Sequence, residues 1–180
     1  MLKSYFITDP SICGDTPAAI QKSLALIIEK HAPDYICLRD KKSDNYEALA
    51  KAFLSLKGEH MTLLHSDLDL AIALGADGIH LTSAQYSEID RAKAAGLYVI
   101  ASTHSYEEAL KAKRADAITY SPIFASPNKG KPKGLGDLKE IVGKININIF
   151  ALGGIISSEQ VEQVESTDAY GFASIRYFTL

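Results

Sequence analysis

The sequence predicts a closed (β/α)8 barrel of parallel strands, the TIM-barrel architecture, with its last helix short or missing. Three observations predict it. Eight short apolar runs alternate with about seven helical stripes at a spacing near 20 to 25 residues, and such alternation implies parallel strands joined by helical crossovers. Eight repeats of that unit favour closure over an open sheet. The expected strand ends carry cations, histidines and hydroxyls, and in a barrel the chemistry sits at the C-terminal ends of the strands. A chain of 180 residues is long enough for one domain with a sizeable core, so residues 1–180 are read as a single barrel domain.

The elements follow in order. Residues 5–9 (YFITD) form a β-rich run ending on a polar residue. Residues 17–31 place Ile20, Leu24, Ile27 and Ile28 at helical spacing. Residues 34–39 (DYICLR) read as the second strand and 44–56 as a helix with Leu49, Phe53 and Leu56 on one side. The third strand is 60–64. A short helix, 67–74, stops at Gly75, a residue suited to the left-handed position after a helix. Residues 76–81 (ADGIHL) give the fourth strand, 84–95 a helix closed by Gly96, and 97–101 the fifth strand. Ser105 with Glu108 three residues on is a capping-box pattern, opening a helix over 106–114. The sixth strand is 115–120, followed by a short helix at 137–142. The seventh strand is 147–152, and Ser157 to Gln160 cap a helix running to about Glu165. The eighth strand is 169–173, after which only 176–180 remain.

Composition narrows the function. The chain is 47% hydrophobic and 23% charged with a net charge of -3, so no basic field points to nucleic acid or to an anionic membrane. No apolar run approaches the roughly 20 residues of a membrane helix, and the start of the chain carries no secretory pattern. The two cysteines, Cys13 and Cys37, make neither a disulfide framework nor a metal cluster. A reduced, cytoplasmic setting is expected. Cys37 reads as buried packing, and His31 and His60 as surface residues.

The organising stretch is 117–136, AITYSPIFASPNKGKPKGLG. A buried strand is stopped by Ser121-Pro122, and a loop with Ser126, Asn128, Lys129, Lys131, Lys133 and several glycines follows. A strand ending in hydroxyls, a lysine and glycines suits an anion. The seventh strand ends in Gly153-Gly154-Ile155. Two such ends in one repeating chain suggest one phosphate-handling mouth. Reading every strand end adds Asp9, Arg39 with Lys41, His65 with Ser66, His80, Ser102 with His104, and Arg176. Nothing in the pattern asks for a nucleophilic side chain.

Several motifs in this order resemble the thiamine-phosphate synthase and thiazole tautomerase superfamily. They are Cys37-Leu38-Arg39-Asp40-Lys41, Gly75 to Leu81 (GADGIHL), Ser102 to Ser105 (STHS), Pro122-Ile123-Phe124 with Ser126 and Lys129, and Gly153-Gly154-Ile155. Synthases of this kind join an aminopyrimidine diphosphate to a thiazole phosphate and release pyrophosphate. The resemblance implies that Arg39, Lys41 and Lys129 hold the diphosphate and that Ser102 sits by the pyrimidine. It also implies that Ser126, Asn128, Gly153, Gly154 and the backbone at Ile175 and Arg176 hold the thiazole phosphate. It implies a magnesium ion, but the ligand positions are altered: Ser66 and Gln85 stand where the family has aspartates, and Asp67 is the neighbouring carboxylate that could replace them. The tautomerase branch also lacks those aspartates, yet its catalytic histidine falls at Pro122 here, which leaves His65 or His104 as the base. A synthase, a metal-independent isomerase and a non-catalytic phosphate binder therefore all stand open. A missing last helix would leave an apolar edge for which a homodimer is the natural cover.

Overall fold

The computed structural model describes residues 1–56, 58–127 and 129–179. Eight parallel strands close on themselves in chain order. They are β1 (Lys3–Ile7), β2 (Tyr35–Leu38), β3 (Met61–His65), β4 (Gly78–Leu81), β5 (Tyr98–Thr103), β6 (Ala117–Tyr120), β7 (Asn148–Leu152) and β8 (Gly171–Ser174). The barrel closes where Lys3 to Phe6 of β1 pair in register with Gly171 to Ser174 of β8. The helices are α1 (Pro10–Cys13), α2 (Pro17–His31), α3 (Tyr46–Leu54), α4 (Leu68–Leu74), α5 (Ile89–Ala94), α6 (Tyr106–Lys111), α7 (Gly134–Lys144) and α8 (Ser158–Glu165). After β8 a 3-10 turn, Arg176–Phe178, stands where an eighth outer helix would be.

Local chemistry sets the helix starts. Thr16 accepts a hydrogen bond from the Ala19 amide, and Pro17 occupies the first turn, where its missing N–H costs nothing. Ile20, Leu24 and Ile27 then face the barrel and are buried. Ser105 caps α6 by accepting from the Glu108 amide, and Ser157 with Gln160 forms a complete capping box on α8.

The core has two parts. Phe6, Leu24, Leu38, Phe53, Leu64 and Ile118 belong to the layer between strands and helices. Tyr5, Tyr35, Cys37, Leu63, Ile100 and Phe150 fill the barrel itself. Strand residues therefore alternate between two buried surfaces, which is why the strands read as unbroken apolar runs.

An aspartate immediately precedes each of β2, β4 and β6. Asp34 accepts from the Ser4 amide and hydroxyl, Asp77 from the Thr62 amide and hydroxyl, and Asp116 from the Val99 amide. Each carboxylate thus clasps the strand before it at the N-terminal end of the barrel, opposite the expected mouth.

Several sequence expectations are corrected. The helix expected at 137–142 begins at Gly134, because the Lys133 and Gly134 amides bond back to the Pro122 and Ile123 carbonyls and fix the turn before it. The expected helix at 84–95 opens as a 3-10 turn, Tyr86–Glu88, before α5. The four-residue α1, capped by Asp9, was not expected. His60 is buried at 9% exposure rather than on the surface. Among the described residues, no helix is long and apolar enough to cross a membrane.

Candidate active site

The C-terminal ends of the strands surround a cavity of about 620 Å³, a volume suited to a small organic ligand. On the β2–β3 side it is lined by Arg39, Lys41 and His65. Tyr46, the first residue of α3, shapes this side. Its hydroxyl donates to the Leu38 carbonyl at 2.6 Å and accepts from the His65 amide at 3.0 Å, tying the ends of β2 and β3 together. The Arg39 amide is held by the Thr8 hydroxyl at 2.8 Å.

Ser102 and His104 reach the cavity from the end of β5, and Ser126 and Lys129 from the loop after β6. His104 is exposed and paired with Glu108: its Nδ1 lies 3.1 Å from Oε2. Lys131 and Lys133 stay outside the lining; Lys133 lies 5.0 Å over the Tyr120 ring. Asn128 falls outside the described residues.

Gly153 and Gly154 line the cavity from the end of β7, and Ile175 and Arg176 from the end of β8. Gly153 and Gly154 have φ of 102° and 72°, in the left-handed range. A Cβ on Gly153 would come within 2.8 Å of Pro122 Cα, and one on Gly154 within 2.5 Å of the Ala125 carbonyl oxygen. Both positions therefore demand glycine for conformation and for space. The Ile123 and Phe124 amides donate to the Leu152 and Gly153 carbonyls at 2.9 Å, locking the β6 loop onto the β7 loop. Ser174 Oγ donates to the Ile155 carbonyl at 2.7 Å and accepts from the Tyr177 amide at 3.2 Å. The two loops that would face a phosphate are thus braced by backbone bonds.

The floor carries a chain of polar side chains that the sequence did not reveal. Tyr5 Oη lies 2.7 Å from His80 Nδ1, and His80 Nε2 lies 2.9 Å from Ser102 Oγ. Both ring nitrogens of His80, a strand-end residue in sequence, thus meet side chains. Tyr5 is fully buried and reads as ordinary barrel core in sequence. The available signal is strand alternation, which puts Tyr5, Ile7 and Asp9 on one side of β1.

Electrostatics reinforce this picture. Burial, with Arg39 and Lys41 adding to it, holds His65 down at about 4, so its imidazole is neutral near pH 7. Burial also drives His80 well below the usual histidine range, with His65 and Arg39 adding to it. Arg39 beside Lys41 is the first cause that lowers the Lys41 ammonium, followed by burial and Lys129. Burial pushes Cys37 up to about 12, which makes it an inert packing thiol. Among the described residues, four basic side chains, Arg39, Lys41, Lys129 and Arg176, line the cavity against one carboxylate, Asp9.

The residues at the expected metal position do not fit magnesium, which takes near-octahedral oxygen ligands including one or two carboxylates. Gln85 Nε2 donates to the Ser66 carbonyl at 2.8 Å, and Gln85 Oε1 accepts from the Thr82 amide and hydroxyl, each at 3.0 Å. Asp67, the expected substitute, accepts from the Leu70 amide and caps α4. None of Ser66, Asp67 and Gln85 lines the cavity. Among the described residues no three His, Cys, Asp or Glu side chains are grouped to hold a metal.

A parallel barrel whose mouth sets cations and hydroxyls against a braced glycine loop defines an enzyme class that handles small phosphorylated ligands. The chain belongs to the thiamine monophosphate synthase family, whose sequence profile matches residues 4–178. It is 33% identical to a thiamine-phosphate synthase of Pyrococcus horikoshii over 97% of this chain and 85% of that one. It is 32% identical to one of Methanoculleus marisnigri over 95% and 84%. The solved thiamine phosphate pyrophosphorylase of Pyrococcus furiosus superposes with a TM-score of 0.76 at 28% identity, covering 97% of this chain and 85% of that one. The family is one of transferases in thiamine biosynthesis, so the resemblance in the motifs extends to the whole barrel.

Proposed function

We propose that this chain joins an aminopyrimidine diphosphate to a thiazole phosphate, releasing pyrophosphate and forming thiamine phosphate. One observation supports the reading: Arg39, Lys41 and Lys129, close enough together that Arg39 and Lys129 both lower the Lys41 ammonium, line the same cavity as the Gly153-Gly154 loop and Arg176. That arrangement offers two anion subsites across one ligand space. Ser126 extends the second subsite.

The bond from the pyrimidine methylene carbon to the diphosphate oxygen breaks, and its electron pair leaves on the diphosphate. The lone pair of the thiazole nitrogen forms the new C–N bond and the ring becomes a thiazolium. No proton moves and no redox partner is needed. Arg39, Lys41 and Lys129 stabilise the charge that develops on the leaving group, and such preorganised charge is a large part of catalysis. Ser102, fixed by His80, orients the pyrimidine ring. The neutral His65 beside these cations offers a hydrogen bond without adding a further charge.

A second reading has one observation in its favour. His65 is a neutral base in the cavity wall, and the altered metal position suits an isomerase that acts on a thiazole phosphate alone. The test is to supply both substrates to the purified protein and follow thiamine phosphate by chromatography. Product formation, reduced about 100-fold in kcat/KM by Lys129→Ala, is the expected result. No product while both ligands bind would overturn the synthase reading, and thiazole isomerisation lost in His65→Gln would establish the second.

A further inference from the structure

Asp40, Asp67 and Asp69, near the β2 and β3 ends, are each engaged locally. Asp40 accepts from the Lys42 and Ser43 amides. Asp67 caps α4. Asp69 is paired with Arg91. Gln85 donates its amide nitrogen to the Ser66 carbonyl, and its amide oxygen, the one side-chain atom able to ligate a cation, already accepts from the Thr82 amide and hydroxyl. Asp9, the carboxylate that does line the cavity, has Oδ1 accepting from the Ser11 amide and hydroxyl. The mouth also carries Arg39, Lys41 and Lys129, the first and last close enough to lower the Lys41 ammonium, and such a group would repel a divalent cation and attract a polyanion.

The geometry points to a diphosphate subsite that works without a divalent cation: Arg39, Lys41 and Lys129 supply the positive charge, and the Gln85–Ser66 hydrogen bond closes the place where an ion would otherwise be held. The inference rests on the reading of this side of the mouth as the diphosphate side, and it concerns how that anion is neutralised. The cations already feel one another, since Lys41 is lowered by Arg39 and Lys129. A bound diphosphate relieves that repulsion, so affinity rises because of the crowding. Backbone around the subsite needs no ion to be ordered, because Tyr46 already ties β2 to β3 and Gln85 ties the Thr82 turn to Ser66.

Inorganic pyrophosphate is the probe. Its binding to the full chain is measured by titration calorimetry, once with a chelator and once with magnesium in excess. The expected result is a Kd in chelator that is equal to or tighter than the Kd with magnesium, within about threefold. Lys41 and Lys129 are exposed, so their alanine variants keep the fold. Each should weaken binding in chelator by about 10- to 100-fold, the usual effect of losing a charge-assisted hydrogen bond. Binding that appears only with magnesium, or is tightened by more than about threefold by it, overturns the inference. So does unchanged affinity in both lysine variants, and so does the absence of binding in both conditions. Pyrophosphate bound in chelator by a protein that forms no thiamine phosphate leaves this inference standing and removes the coupling reaction instead.

Discussion

His80 Nε2 lies 2.9 Å from Ser102 Oγ, with the other ring nitrogen 2.7 Å from Tyr5 Oη, so the hydroxyl at the cavity floor is oriented from inside the barrel. His80 is 3% exposed and Tyr5 is fully buried. The histidine cannot turn to solvent to replace a lost partner.

Tyr5→Phe removes one hydroxyl and keeps the ring that packs on Phe150 and Tyr35. It leaves a buried histidine nitrogen without its partner, which costs about 1–3 kcal/mol. Urea denaturation should show that loss. The KM for the pyrimidine substrate should rise more than the KM for the thiazole, because Ser102 is no longer held in one orientation.

Stability should fall in acid through His65. Its folded value is about 4 and its unfolded value about 6.5. Between these the unfolded chain binds the proton and the folded chain does not, so stability is complete above about pH 6.5 and is lost as pH falls toward 4. Arg39 and Lys41 face the ring and oppose its protonation, and His80 packs beside it. The loss attributable to His65 is on the order of 3 kcal/mol. Urea midpoints measured across that range should slope less in His65→Gln than in the parent chain.

Gly154→Ala should be far more damaging than Gly75→Ala. Both glycines are left-handed, with φ of 72° and 66°. A Cβ at Gly75 meets open space, whereas one at Gly154 comes within 2.5 Å of a carbonyl oxygen. Gly75→Ala should cost about 1 kcal/mol for conformation alone. Gly154→Ala adds a steric term, and should both lower the melting temperature further and weaken binding of thiazole phosphate.

At the far end of the barrel, Asp77→Ala should destabilise without touching the ligands. It removes two bonds, to the Thr62 amide at 2.8 Å and the Thr62 hydroxyl at 2.6 Å. Hydrogen bonds to a charged group contribute about 1.5–3 kcal/mol each. Denaturation should report a loss of that order, while pyrophosphate affinity stays unchanged.

The fold was legible because its signals are local and repeated. Apolar runs in Tyr35 to Leu38 and Leu63 to Leu64 mark strands buried on both faces. The caps at Thr16, Ser105 and Ser157 mark helix starts. Boundaries were harder where glycine is ambiguous: Gly134 and Gly136 read as loop, yet both lie in α7, whose start is fixed by long-range bonds to Pro122 and Ile123. At the mouth, the strand-end rule found the charged and glycine residues. It could not show that Gln85 turns onto Ser66, or that Tyr5 reaches His80, because those contacts join residues 19 and 75 positions apart. His60 was misread for the same reason, since its burial comes from tertiary packing and not from its neighbours in sequence.

The central claim is that one mouth holds two anions at separate subsites. It is tested most directly by a crystal structure of the protein with thiamine phosphate and pyrophosphate bound together. The account predicts pyrophosphate against Arg39, Lys41 and Lys129, with the phosphate of thiamine phosphate on the Gly153-Gly154 loop. Reversed placement, or both anions on the glycine side with the three cations left in solvent, would contradict it.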